Sequence, residues 1–274
     1  MNRLLLYSLT ALFSLVFCPH SSSAQAKPAQ KTYTFLIYHK LAPGYTIQDA
    51  LPIEREWKTL NQAAVDEGNL EGWYMMVKQF SSNPNPAEYD YVTRIVGRDV
   101  NLKGASPAAL TRIYGDSAKA RMADLQKRDR TVAPVVKIEI WETLDAAYAP
   151  GFAPGQTPLM VVDRIRRKDP VTDTENLVSQ MKRLSEERIK RNTLAGWDFS
   201  ALIIPNGSEK GFDRSVAYYV GNLSAIANPG LMEAAGAIMT PQAYKQFRNQ
   251  IAQTFDVVRQ EVYRFMEFTT KAGN

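Results

Sequence analysis

Hydrophobic and polar positions along the chain follow two periods, that of a β-strand and that of an α-helix. Tyr33–His39 is rich in aromatic and β-branched residues and precedes a Pro-Gly turn, which predicts a strand. A stripe of apolar residues at steps of three and four follows and stops near Gly68, which predicts a helix. Its members are Ala50, Ile53, Trp57, Leu60 and Ala64. Each half of the chain repeats this kind of alternation.

The remaining elements complete two similar series. In the first half, Ser106-Pro107 is a hydroxyl cap followed by proline and predicts a helix running to about Lys127. The other strands predicted there are Trp73–Phe80, Tyr89–Val96 and Val135–Thr143. In the second half the predicted strands are Leu159–Ile165, Trp197–Ile204, Ser215–Val220 and Tyr263–Phe268. The predicted helices are Asn176–Thr193 and one carrying the stripe Tyr244, Phe247, Ile251, Phe255 and Val258.

Short sequence matches link the two halves at nearly constant spacing. The segment 70–73 recurs at 194–197, the segment 138–142 aligns with 263–267, and Tyr91-Val92 aligns with Tyr219-Val220. The offsets are 124, 125 and 128 residues, and the extra residues are assigned to the loop Pro205–Asp213, where an insertion is tolerated. The pattern indicates a duplicated unit.

Each unit reads β-α-β-β-α-β, the ferredoxin-like motif, so the fold class is α+β. Repeat 1 covers 32–145, a segment 146–158 rich in proline and glycine is the linker, and repeat 2 covers 159–270. The strand beginning at Trp73 is apolar on both faces, so both faces of its sheet need cover. Two tandem repeats packed sheet to sheet as an intramolecular α/β barrel provide that cover.

The N-terminus has the three-part pattern of a secretory signal peptide over 1–24. A short positive start precedes a charge-free apolar run, and small residues place cleavage after Ala24 or Ala26. An uncleaved anchor helix is the alternative. The residues 25–31 form a flexible lead-in, and the predicted location is secreted or periplasmic. Cleavage removes Cys18 and His20 and leaves His39 as the one histidine.

Composition narrows the classes of function. The formal net charge of +5 is not gathered into a basic stripe, which argues against nucleic acid as a partner. No later segment is long and apolar enough to span a membrane. One histidine without cysteine excludes a histidine-rich metal site. A site of carboxylates alone for Ca²⁺ or Mg²⁺ stays open, but no calcium-loop spacing occurs, and the prediction is no metal and no cofactor.

The chain resembles the dimeric α/β-barrel superfamily, in which two ferredoxin-like units pack sheet against sheet. The resemblance rests on Glu54 and Trp57 of the first helix, on Gly72-Trp73, and on the strand that begins Tyr89-Asp90-Tyr91. It covers nearly the whole mature chain. The superfamily includes cofactor-free monooxygenases, small isomerases and haem-dependent relatives of chlorite dismutase, so the resemblance implies a fold rather than one activity.

Two residues are candidates for proton transfer. His39 lies at a strand end, where an imidazole can act as a general base, and Glu54 borders the buried helix stripe, where burial would raise its pKa. A histidine bonded to backbone and a glutamate paired with Lys58 are the structural alternatives. The residues predicted to line a ligand region are Tyr33, His39, Glu54, Trp57, Trp73, Tyr89 and Tyr91.

Charged residues on strands predict ion pairs between the sheets. Asp90 and Arg94 share a face on the third strand, and Glu139 shares a face with Lys137 on the fourth. Arg264 aligns with Glu139 in the repeat, so these two residues are expected to pair across the inter-sheet space. A water-filled barrel end is the alternative.

Three functions remain open. The first is a small-molecule-binding or stress-related module that holds an apolar or aromatic molecule between helices and sheet and is not an enzyme. The second is a cofactor-free monooxygenase- or isomerase-like enzyme acting on a small aromatic or lactone substrate. The third is a structural or partner-binding protein. The oligomeric state is not predicted.

Overall fold

The computed structural model describes residues 31–82, 88–154, 157–205 and 211–271. The predicted signal peptide and its cleavage site lie outside the described residues. The strands are β1 (Thr32–His39), β2 (Gly72–Ser81), β3 (Tyr91–Gly97), β4 (Val135–Tyr148), β5 (Leu159–Arg167), β6 (Gly196–Ile204), β7 (Arg214–Val220) and β8 (Phe255–Phe268). The helices are α1 (Ile47–Asp66), α2 (Pro107–Tyr114), α3 (Ala118–Val132), α4 (Glu175–Lys190), α5 (Leu223–Ala227), α6 (Leu231–Ile238) and α7 (Pro241–Thr254).

The eight strands close into one antiparallel barrel in the order β1-β3-β2-β8-β5-β7-β6-β4. Each repeat supplies a four-stranded ferredoxin-like sheet, β4-β1-β3-β2 in the first and β8-β5-β7-β6 in the second. The pairs β2–β8 and β4–β6 join the two sheets and leave no free sheet edge. The predicted fold class, two tandem units forming an intramolecular barrel, is confirmed.

Several element boundaries differ from those predicted. The second helix is divided into α2 and α3 because Gly115 ends α2 with a positive φ of 61°. Phe255 and Val258 belong to β8 rather than to the preceding helix. Strand β4 runs on to Tyr148 and so includes three residues of the predicted linker. The short helices α5 and α6 were not predicted.

Strand pairing corrects the alignment of the repeats. Gly72 lies opposite Val96, and Gly196 lies opposite Tyr219, so the structural counterpart of Tyr219 is Val96 rather than Tyr91. In the pairing of the first strand with the last strand of each repeat, Leu36 lies opposite Glu139 and Val162 lies opposite Glu261. Glu139 therefore corresponds to Glu261, and its predicted alignment with Arg264 is wrong by three residues. The residues that were matched between the repeats by sequence are similar in type, but they occupy different positions on their strands.

Along each strand, successive side chains point alternately into the barrel interior and toward the helices. One set fills the barrel interior, with Tyr38, Trp141 and Tyr263 among its largest members. The other set faces the helices, where Trp73 anchors the core of repeat 1 and Trp197 that of repeat 2. The apolar faces of β2 are thus both buried, as the sequence of this strand required.

The segment predicted as a linker covers one end of the barrel. Phe152 packs on the interior cluster, with its ring centroid 5.0 Å from that of Tyr219 and 4.8 Å from that of Tyr148. Both Tyr148 and Phe152 also lie against Gly196, where a β-carbon would come within 2.6 Å of Tyr148. Among the described residues, no helix has the length and apolar character needed to cross a membrane.

Candidate functional site

The helices and sheet of repeat 2 border a cavity of about 630 Å³ that is partly open to solvent. Val161, Trp197 and Tyr218 form its floor on the outer face of the sheet. Residues of α4 and α7, including Met181, Leu184, Phe247 and Ile251, form its walls, and Ala225 of α5 lies at its edge. This volume is in the range of small-molecule sites, which are mostly apolar with few polar groups.

Two charged residues lie in the wall of this cavity where burial changes their pKa. Burial raises the pKa of Asp163, although Gln260 Nε2 donates a hydrogen bond to its carboxylate at 2.8 Å. Burial lowers the pKa of Arg188, which is 5% exposed. Each lies near the Tyr218 ring, so a cation and a carboxyl group face one aromatic floor. The cavity combines apolar surface with opposite charges at defined positions.

The equivalent layer of repeat 1 contains a buried polar cluster. His39 and Glu54 are 4% and 1% exposed, and both contact Tyr91. The His39 ring stacks on the Tyr91 ring with centroids 4.5 Å apart, and the Tyr91 hydroxyl donates to Glu54 Oε1 at 2.7 Å. The structure therefore brings together three of the residues predicted to line a ligand region.

Hydrogen bonds fix the histidine of this cluster. His39 Nδ1 lies 3.0 Å from the carbonyl of Ala133 and Nε2 lies 3.1 Å from Thr93 Oγ1. Nδ1 must donate to the carbonyl, so Nε2 accepts from the threonine. Burial lowers the pKa of His39 to about 4, and the imidazole is neutral at physiological pH. His39 fits the structural alternative of a strand-end histidine bonded to backbone.

Glu54 has the raised pKa expected for a carboxyl group at the helix border. Burial raises its pKa to about 8, and the charge of Asp129 adds to this effect against the hydrogen bond from Tyr91. Among the described residues, Glu54 forms no ion pair with Lys58, which was the structural alternative. Lys58 instead binds Glu267 at 2.9 Å. Glu54 is therefore protonated at neutral pH.

His39, Glu54 and Asp129 form a group with metal-ligand atoms. One such atom from each lies within 4.8 Å of the other two. Trp57 bonds the Asp129 carboxylate, and Asp129 Oδ1 is buried without a hydrogen-bond partner in the described structure. Either a shared proton or a cation would reduce repulsion between the carboxylates. The prediction of no metal weighed histidine-rich sites and calcium-loop spacing, and neither identifies a group of one histidine and two carboxylates from separate elements.

The other residues predicted to bind a ligand lie in separate parts of the fold. Trp73 is buried in the core of repeat 1, and Trp57 packs against that core. Tyr33 is half-buried and pairs with Gly97, at the end of β1 remote from His39. Tyr89 points into the barrel, where its ring lies 4.7 Å from that of Tyr38. The seven residues do not line one pocket.

Charged residues do enter the barrel interior, but their pairing differs from that predicted. Arg164 Nε lies 3.6 Å from Glu261 Oε2, and Arg164 Nη2 donates to the Tyr38 hydroxyl at 3.0 Å. The same hydroxyl donates to Glu139 at 2.7 Å. Arg264 is exposed, so it does not pair with Glu139 across the interior. The error follows from the shifted repeat alignment.

Interior cations determine the ionisation of Glu139. Burial would raise the pKa of this fully buried carboxyl group, but the charges of Arg164 and Lys137 hold the pKa below its ordinary value. Lys137 Nζ lies 3.3 Å from Glu139 Oε1. Asp90 instead binds Lys40 at 3.1 Å near the barrel mouth. The charges of this network compensate one another, although Glu139 Oε1 is buried without a hydrogen-bond partner among the described residues.

Sequence reasoning missed Arg188 and the cavity of repeat 2. A signal was present, because Leu177, Met181, Leu184 and Arg188 continue one stripe at steps of four, three and four. An arginine in line with buried apolar residues indicates a cation held inside the helix–sheet layer. The candidate residues predicted from the sequence lie instead in repeat 1, which has the histidine.

Haem is the cofactor that the superfamily resemblance raises, and the residues present do not fit a histidine-ligated haem. Neither histidine nor cysteine occurs among the residues that line the described cavity of repeat 2. His39 lies in repeat 1, with both ring nitrogens held by Ala133 and Thr93.

Comparisons with known proteins agree on the fold. No protein-family model and no curated protein sequence matches the chain. A provisionally assigned chlorite dismutase of known structure is 11% identical, with a TM-score of 0.50, and the match covers 86% of this chain and 95% of the other.

Two further solved structures are similar at lower scores. A provisionally assigned monooxygenase from Lactobacillus acidophilus is 12% identical over 88% of this chain and 97% of its own, with a TM-score of 0.49. A haem-binding protein from Thermus thermophilus is 9% identical over 86% and 91%, with a TM-score of 0.42. At 11% identity, the similarity to the chlorite dismutase structure shows a shared fold alone. The chain has the dimeric α/β-barrel fold, with both halves of the barrel contributed by one polypeptide.

Proposed function

We propose that this protein is a secreted or periplasmic small-molecule-binding module whose ligand lies in the cavity of repeat 2. The observation that carries the proposal is the cavity of about 630 Å³ between an aromatic floor and apolar helices. Apolar side chains that border such a cleft gain free energy when a bound apolar molecule removes them from water. Repeat 2 thus replaces repeat 1 as the proposed ligand region.

The difference between the repeats supports this choice. In repeat 1, the residues His39, Glu54 and Tyr91 are buried against one another and bonded within the protein. In repeat 2, Tyr218 and Trp197 border open volume instead. Gene duplication followed by loss of constraint on one copy would leave one unit for stability and the other for binding.

Asp163 favours a second candidate, a cofactor-free enzyme in the same cavity. Burial raises the pKa of this carboxyl group toward the range useful for proton transfer, and it faces the cavity beside Tyr218. Asp163, rather than His39 or Glu54, would then be the proton acceptor. Turnover of an identified ligand by the protein, lost in Asp163→Asn, would support this candidate over simple binding.

The binding proposal is tested with the neutral fluorescent probe N-phenyl-1-naphthylamine. We expect saturable binding at one site, and Ala225→Trp should weaken it at least about tenfold by filling the cavity edge. Ala237→Trp, at an exposed alanine of α6 outside the lining, is the matched control. Absence of binding, or equal binding by both variants, would contradict the proposal and favour a structural or partner-binding role.

The location is tested separately. The charge-free apolar run and the small residues after it support export of the chain. Mass spectrometry of protein from its native host should find a mature N-terminus after Ala24 or Ala26. An intact N-terminus in a membrane fraction would instead support the anchor alternative.

A further inference from the structure

Arg188 is a buried cation in the wall of the repeat 2 cavity. It lies in the last turn of α4, is 5% exposed, and borders the same volume as Leu184 and Tyr218. Its guanidinium carbon lies 5.7 Å from the centre of the Tyr218 ring. Arginine is rarely buried without an anionic partner, because removing its charge from water is costly.

No acidic side chain in the described part of the chain forms an ion pair with Arg188. Its Nε donates to the carbonyl of Pro229 at 2.9 Å, a neutral acceptor. The two acidic residues of the cavity wall are held elsewhere. Asp163 accepts from Gln260, and Asp256 binds Arg166 at 3.0 Å and Lys168 at 3.3 Å. Among the described residues, Arg188 therefore borders an open volume without an ion-pair partner.

The geometry points to a ligand that carries an oxyanion on an aromatic or apolar body, with Arg188 binding the oxyanion. This inference rests on the proposed function, because it specifies the ligand of the same cavity. Guanidinium groups bind carboxylates and sulfonates through paired N–H donors, and the low polarity around Arg188 strengthens such bonds. The Tyr218 ring and the apolar walls would hold the rest of the molecule.

A purely structural role for Arg188 makes a different prediction. The bond to Pro229 ties α4 to the start of α6 and could serve only to position that connection. Loss of Arg188 would then weaken neutral and anionic ligands alike. Loss of an oxyanion site weakens the anionic ligand selectively, so a matched pair of probes separates the two roles.

The test compares N-phenyl-1-naphthylamine with 8-anilinonaphthalene-1-sulfonate, which differs from it by one sulfonate group. In Arg188→Gln, the affinity for the sulfonate should fall at least about tenfold relative to that for the neutral probe. Arg183→Gln, an exposed arginine on the same helix, should leave the ratio of the two affinities unchanged. Ala225→Trp should weaken both probes.

A measurement on the unaltered protein keeps the test independent of how Arg188→Gln folds. 1-Naphthoate should displace the neutral probe at a concentration about tenfold lower than 1-naphthamide does. Equal displacement, or an unchanged affinity ratio in folded Arg188→Gln, would overturn the inference while leaving the binding proposal intact. Failure of the neutral probe to bind at all would instead contradict the proposed function.

Discussion

Arg94 of repeat 1 and Asp198 of repeat 2 form an ion pair inside the barrel, with Nη2 and Oδ2 3.6 Å apart. Both side chains are buried, and the Tyr219 hydroxyl donates to the same Asp198 oxygen at 3.0 Å. The pair joins strands of different repeats and therefore links the two sheets through their interior. No local sequence pattern relates Arg94 to Asp198.

Removing one member of this pair should destabilise the protein strongly. Asp198→Asn keeps the shape of the side chain but leaves the Arg94 charge buried without compensation, and we expect a loss of about 3–5 kcal/mol in the free energy of unfolding. Adding Arg94→Met should recover part of the loss. Urea denaturation of both single variants and the double variant measures the coupling. Additive effects would show that the pair contributes no interaction energy.

Charge reversal at Glu139 should not be rescued from Arg264. Glu139→Lys places a third cation beside Lys137 and Arg164, and we expect a loss of more than about 3 kcal/mol. Arg264→Glu should restore nothing because Arg264 is exposed, whereas Lys137→Glu should restore part. Denaturation curves of the two double variants decide between these partners, and recovery with Arg264→Glu would contradict the pairing described.

Glu54 should make the protein less stable as pH rises. Its pKa of about 8 in the folded protein lies above the ordinary value of 4.5, so unfolding releases a proton between these values. Stability contributed by this group is complete below about pH 4.5 and is lost progressively up to about pH 8. His39 acts oppositely, because its pKa is lowered from 6.5 to about 4, and its effect is confined to that acidic range.

Glu54→Gln should remove this dependence. Between about pH 6 and pH 8, the stability of the variant should rise relative to the native protein by about 2 kcal/mol, as measured by urea denaturation at each pH. Glu56→Gln on the same helix is the control, because Arg128 holds the pKa of Glu56 below its ordinary value despite burial. Parallel curves for Glu54→Gln and the native protein would show that Glu54 is already ionised.

Gly196 should tolerate no side chain. A β-carbon there would lie 2.6 Å from the Tyr148 ring and 3.2 Å from Phe152, so one of these stacked rings must move. Gly196→Ala is expected to cost about 1–3 kcal/mol in thermal or chemical denaturation. Gly104→Ala, with no atom within 4 Å of the new carbon, is the control. Equal effects of both substitutions would mean that the rings do not constrain Gly196.

The sequence predicted local structure well because period and capping are local properties. The apolar stripe of α1 and the Ser106 cap of α2 lie where they were expected, and the Ser106 hydroxyl accepts from the Ala109 N–H at 3.1 Å. Phe255 was misassigned because the apolar period of α7 continues by chance into β8. A period cannot show where one element passes directly into another.

The candidate site was predicted only in part. His39 and Glu54 do meet, since strand end and helix border face each other in a ferredoxin-like unit. That these two are packed and not open depends on Tyr91, Thr93 and Ala133, whose arrival from other elements no spacing specified. The sequence indicated which residues could transfer protons, but it did not indicate whether a ligand could reach them.

By itself, the sequence determined most of the helices and strands of this protein, their duplication, and the need to cover both faces of each sheet. Those properties depend on residues close in the chain or on the total of apolar surface. The tertiary structure decided the strand register and the cavity of repeat 2 beside Arg188. It also decided that Arg164, and not Arg264, is the cation that pairs in the barrel interior. Registers and cavities depend on how side chains distant in sequence fill a shared volume, and two repeats with the same pattern can fill it differently.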